Sequence, residues 1–189
     1  MQARNIDVLV SCQLIYATST ISLVTLGGII GASMTSNRAL VTLPLSLMVV
    51  AVAASASPAS MLMRRIGRRS GFMLSSAIAS VGMFTGVVAL RQSNFVLFCM
   101  AAMMLGINTA FTQQYRYAAA ESVTPEFVAR AISFVLLGSI GGAFLGKELA
   151  TRGQDWITGI PYAGTFAALG VLFLLQVVLL SLIHISEPT

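Results

Sequence analysis

Six times along this chain, about twenty consecutive residues pass almost without charge, and the charged side chains gather in the gaps. A helix rising 1.5 Å per residue needs about 20 apolar residues to cross a roughly 30 Å hydrocarbon layer. The runs are Val8–Gly31, Ala39–Ser60, Gly71–Leu90, Asn94–Gln114, Val128–Leu149 and Tyr162–Leu182. None alternates polar and apolar residues over ten positions, so spanning strands are excluded. Only 9% of the 189 residues are charged, too few to cover the surface of a soluble domain. Disorder or a nucleic-acid arm would need the opposite composition, so no nucleic-acid partner is expected. The pattern predicts an all-α membrane protein with six transmembrane helices and the lipid bilayer as its first partner.

The formal charge is +5, but the basic residues lie between the runs rather than on one face, and they read as topology signals. With the N-terminus cytoplasmic, Arg4, Arg64, Arg65, Arg68, Arg69, Arg116 and Arg130 fall inside, and Arg38, Arg91, Lys147 and Arg152 outside. The inner set is the larger, and the four arginines after the second run carry most of the bias. The first run is long, rich in Ser and Thr, and lacks a small-residue cleavage site, so it is expected to stay in the mature protein. Cys12 and Cys99 fall within runs, where they behave as small apolar residues and imply neither a disulfide nor a metal site. Glycines recur at helical spacing (Gly27, Gly28 and Gly31; Gly82 and Gly86; Gly138, Gly141, Gly142 and Gly146), which suits close helix packing or a hinge. Lys147 and Glu148 read as interface residues ending the fifth run, with Asp155 in an outer loop and Trp156 as an aromatic anchor.

The last residues, Leu180 to Thr189, read LSLIHISEPT and resemble the translation of a sequencing adapter. The expectation is that residues 180–189 are a non-native tail and that the natural bundle occupies residues 1–179; a short native tail is the alternative. The tail holds the sole histidine, His184, and Glu187. No histidine chemistry is expected from the rest.

Ser60 to Arg69 read S-M-L-M-R-R-I-G-R-R in the short connection between the second and third runs. This resembles the loop motif of the major facilitator superfamily, commonly G-x-L-A-D-R-x-G-R-R/K, at the same place in the same topology. Leu62, Arg65, Gly67, Arg68 and Arg69 match, whereas Ser60 replaces the first glycine and Arg64 the aspartate. Gly67 permits a tight turn, and the arginines pin it to the membrane surface. The resemblance implies the N-terminal half of a twelve-helix secondary transporter working by alternating access, with the substrate held between two six-helix halves. It thereby implies a missing C-terminal half, a small solute or drug-like substrate, a coupling proton as a further partner, no cofactor, and a place in the cell membrane, the inner membrane in a bacterium. An interrupted gene would give such a break near Leu179.

The family's loop aspartate faces a helix N-terminus of the second half, a place that Arg64 would be repelled from. Arg68 matches the arginine that joins an acidic residue near the inner end of the fourth helix, for which Glu121 is the nearest candidate. In the drug and proton antiporters an arginine stands four residues before a glycine of the fourth helix; Ala102 stands there before Gly106. The fifth run's glycines lack the antiporter proline, so drug and proton antiport is disfavoured as the specific mechanism.

The resemblance has the first and fourth helices line the cavity. On the first, Gln13, Tyr16 and Thr20 share a helical face; on the fourth, Asn108, Thr112 and Tyr115 do, with Gln113 and Arg116 beside them. Polar groups are costly against lipid and should turn inward, either to a solute or to another helix. Tyr115 and Arg116 could attract an anion at a cavity mouth, or Arg116 could snorkel to the interface. No acidic residue lies at mid-membrane, so proton coupling would need a carboxylate from the other half. An intramembrane enzyme is disfavoured because no base stands near a nucleophilic serine and no G-x-S-x-G or H-E-x-x-H appears. A complete six-span unit, acting as a dimeric half-transporter or an assembly factor, is the alternative.

Overall fold

The computed structural model describes residues 2–121 and 123–181, with side chains from residue 6 onward. Leu182, His184, Glu187 and the side chain of Arg4 lie outside the described residues. Helix α1 spans Gln2–Met34, α2 Leu43–Ile66, α3 Arg68–Gln92, α4 Phe95–Thr112, α5 Tyr115–Glu121, α6 Val128–Arg152 and α7 Ala163–Ser181, with 3₁₀ turns at Arg38–Leu40, Pro125–Phe127 and Gly153–Asp155. Six spans are long and apolar enough to cross a membrane, the fourth being α4 and α5 together, and the described residues contain no strand.

Several helix ends outrun the apolar runs that announce them. Polar residues at a membrane surface continue a helix as readily as apolar ones, so the hydropathy edge marks the lipid boundary and not the helix end. Thus α2 reaches Ile66 rather than Ser60, and α3 starts at Arg68 rather than Gly71. The fourth span breaks at Gln113 and Gln114 and resumes to Glu121, past the expected end at Gln114. Local signals set other ends: Asn94 caps α4 by accepting from the Val96 and Leu97 amides at 3.0 and 3.2 Å.

The spans pair in a crossed pattern. Helix α1 packs along α6, α2 along α4, and α3 against both α4 and α7. Exchanging the first three spans with the last three carries the first of these pairings onto the second and leaves the α3–α7 pairing in place. Successive spans are antiparallel, so equivalent spans run in opposite directions, as an inverted three-plus-three repeat requires.

Backbone contact makes the α1–α6 pairing close. A methyl group on Gly138, Gly142 or Gly146 would come within 2.7, 2.6 and 2.7 Å of the carbonyl oxygens of Val10, Leu14 and Thr18. These glycines therefore serve packing, which in lipid must supply the association that water exclusion supplies elsewhere. The Ser22 hydroxyl adds a 2.9 Å bond to the Gly146 carbonyl, and Ser80 makes the equivalent bond to Gly170 between α3 and α7.

Burial is uneven. In the most apolar stretch of spans two and five only 17% and 22% is covered, against 44 to 61% in the other four. The uncovered faces carry Val49, Val50 and Met61 on α2, and Phe134, Leu137 and Phe144 on α6.

Candidate functional site

The sequence motif at Ser60–Arg69 is almost wholly helical. Ser60, Leu62, Arg64 and Arg65 lie in the last turns of α2, Arg68 and Arg69 open α3, and Gly67 alone joins the two helices. Its backbone, at φ 82° and ψ 155°, occupies a region that is essentially confined to glycine. The short loop read from the sequence is thus a single residue.

Arg68 reaches the end of the fourth span and donates to Glu121 at 2.5 Å. Arg69 donates to the carbonyl of Ser181 at the end of α7, where the helix presents its partially negative terminus. Adjacent arginines on one turn therefore tie span three to spans four and six. Arg64 and Arg65 are exposed and have no ion-pair partner among the described residues.

The polar face of the fourth span turns into the bundle. Asn108, Thr112 and Tyr115 are at most 2% exposed. Asn108 donates to Ser75 Oγ at 3.3 Å, and Thr112 to the Asn108 carbonyl at 3.0 Å. Gln176 of α7 donates to Ser76 Oγ at 3.0 Å and to the Tyr115 hydroxyl at 2.7 Å. The Phe72 ring meets that of Tyr115 edge to face, with centroids 4.7 Å apart. Asn108 and Tyr115 thus find partners on α3 and α7, the second of the two fates open to polar side chains in a span, and Thr112 bonds back to its own helix. Arg116 and Gln113, by contrast, are exposed.

The first-span face is placed differently. Gln13 donates to Ser139 Oγ on α6 at 2.8 Å, and Tyr16 is half-buried. Thr20 is half-buried, and its hydroxyl oxygen, out of solvent, has no partner. No hydrogen bond joins the first-span trio to the fourth-span trio among the described residues.

Gln176, Ser75 and Ser76 escape the sequence reading. A lone amide in nineteen otherwise apolar or small residues is a usable signal for Gln176, since lipid would not tolerate it. The two serines give no such signal, because a serine can satisfy itself on its own helix, as both do here through the Phe72 carbonyl. At the far end, the fifth span continues past Lys147, and Glu148 pairs with Arg152 one turn on.

No family model matches the chain, and no solved structure does. Curated relatives are found. The chain is 33% identical over 181 residues to the riboflavin transporter RfnT of Brucella anthropi, covering 96% of this chain and 46% of that protein. It is 27% identical over 168 residues to the uncharacterized MFS-type transporter YdeG of Bacillus subtilis, with coverages of 87% and 39%. It is 25% identical over 169 residues to YddS of the same organism, with 87% and 38%. The chain spans somewhat less than half the length of these relatives, all named as transporters and none as an enzyme. Together with the six-span fold, this similarity places the chain in the major facilitator superfamily of membrane transporters, not among membrane enzymes.

Proposed function

We propose that this chain is the N-terminal half of a twelve-helix secondary transporter that moves a small solute by alternating access. The carrying observation is the bareness of spans two and five. In the crossed three-plus-three bundle each of these spans packs chiefly along a single partner, span four or span one, and the apolar faces left bare suit a second six-helix half. Residues 1–179 form the bundle on this reading and residues 180–189 are a non-native tail, with the N-terminus on the cytoplasmic side of a bacterial inner membrane.

Gln13, Tyr16 and Thr20 are the solute-facing candidates of the first span, supported by the unpartnered Thr20 hydroxyl, and Arg116 is the exposed candidate of the fourth. Asn108, Thr112 and Tyr115 hold the fourth span in place from behind. A relative named as a riboflavin transporter makes riboflavin the first solute to try, and the family resemblance makes a proton the first coupling ion to try. Genomic DNA read past the codon for Leu179 is expected to encode six further spans. In proteoliposomes, that complete protein should take up riboflavin, and the 189-residue chain should take up none. Saturable uptake by the 189-residue chain alone would overturn the half-transporter reading in favour of a dimeric six-span unit.

A further inference from the structure

We propose that the turn between α2 and α3 binds a phosphate-bearing anion, and that its occupant is the headgroup of an anionic phospholipid. Four guanidinium groups fall within six residues, Arg64 to Arg69, and among the described residues one carboxylate, Glu121, is paired to them. Among the described residues four buried side-chain atoms lack a hydrogen-bond partner, and two of them are here, Nη1 of Arg68 and Nε of Arg69. A buried N–H without an acceptor is costly, and an oxygen-rich anion is the acceptor that guanidinium groups pair with best.

Guanidinium forks match phosphate oxygens in planar, paired geometry, which an ammonium cannot do. The already bonded nitrogens of Arg68 and Arg69 fix both side chains by contacts to Glu121 and to the backbone carbonyl at position 181, which any residue there supplies, so the free N–H groups are held in place before any ligand arrives. Arg64 and Arg65, exposed and unpaired, complete the charge around the site. The turn sits at the end of spans two and three, at headgroup depth, and Met61 and Ile66 beside it are 58% and 40% exposed. A lipid offers those side chains an acyl chain that free phosphate lacks, and clustered arginines next to a span favour anionic headgroups.

The site does not depend on transport, and its test is a binding measurement. The 189-residue chain in neutral detergent is titrated with phosphatidylglycerol, phosphatidylcholine or inorganic phosphate at fixed ionic strength, and bound lipid is counted by native mass spectrometry while thermal stability is followed. Phosphatidylglycerol is expected to bind saturably and raise stability, with phosphatidylcholine doing neither. The R64A/R65A variant, which removes no hydrogen bond or ion pair found among the described residues, should bind it roughly thirtyfold more weakly, the effect of two surface arginines. Stabilisation by inorganic phosphate equal to that by the lipid, and lost in the same variant, would overturn the lipid assignment and leave an anion site. Equal binding of the two lipids, or equal binding of phosphatidylglycerol by variant and parent, would overturn the site itself.

Discussion

Gln176 does alone, inside the bundle, what Arg68 and Arg69 do together at its end: it reaches two helices at once. Its amide nitrogen bridges Ser76 on α3 and Tyr115 at the start of α5, in a place that no water reaches. Hydrogen bonds between helices in a membrane are worth about 0.6 kcal/mol on average and rarely more than about 1.7, because an unfolded chain in lipid finds other partners. Gln176→Leu and Tyr115→Phe should each destabilise the chain, and the double variant should cost less than the sum by roughly 0.5 to 1.5 kcal/mol, read from unfolding in mixed micelles. Strict additivity would show that the two side chains act independently. Sequence alone could place Tyr115 on an inward face through its spacing from Asn108 and Thr112. It could not choose between a solute and a helix as what lies inward, since both demand the same polar side chains.

At the level of helices, the decisive contact is the seam between α1 and α6. Three glycines one turn apart let the two backbones touch, so α6 has no freedom to carry a larger residue there. Gly141 lies one position round the helix and faces only the tip of Leu14, at 3.4 Å, which a side chain can yield. Gly142→Ala should therefore lower stability by about 1 to 3 kcal/mol, and Gly141→Ala should leave it within about 0.5 kcal/mol, compared by thermal unfolding of the two variants. Equal effects would mean that the seam is looser than its carbonyl contacts indicate. The number of spans was legible because charge is excluded from lipid so strictly that each crossing marks itself. Helix ends were not, as Arg68 and Glu121 demonstrate: both stand outside the apolar runs, yet both belong to helices.

For the whole molecule, what is left bare matters as much as what is packed. Leu137 is 55% and Phe144 76% exposed on α6, so neither contributes much to the bundle that carries it. The L137A/F144A variant should match the parent chain in stability to within about 0.5 kcal/mol per site in micelles, and a larger loss would place those side chains in an internal contact. The crossed pairing of the spans could not be read from the sequence, because hydropathy reports depth in the membrane and carries no record of neighbours. The motif around Gly67 supplied the architecture instead, through its resemblance to a known family.

That glycine has a mechanical consequence. Adjacent Cα atoms are about 3.8 Å apart and cannot stretch, so two long helices joined through one residue are free to change their angle and unable to slide past one another. Span two lies along α4 on one side, is bare on the other, and meets α3 at Gly67. A push on its bare face is therefore carried by α4 as well as by Gly67, and α3, tied to spans four and six by Arg68 and Arg69, is the arm against which its end bears.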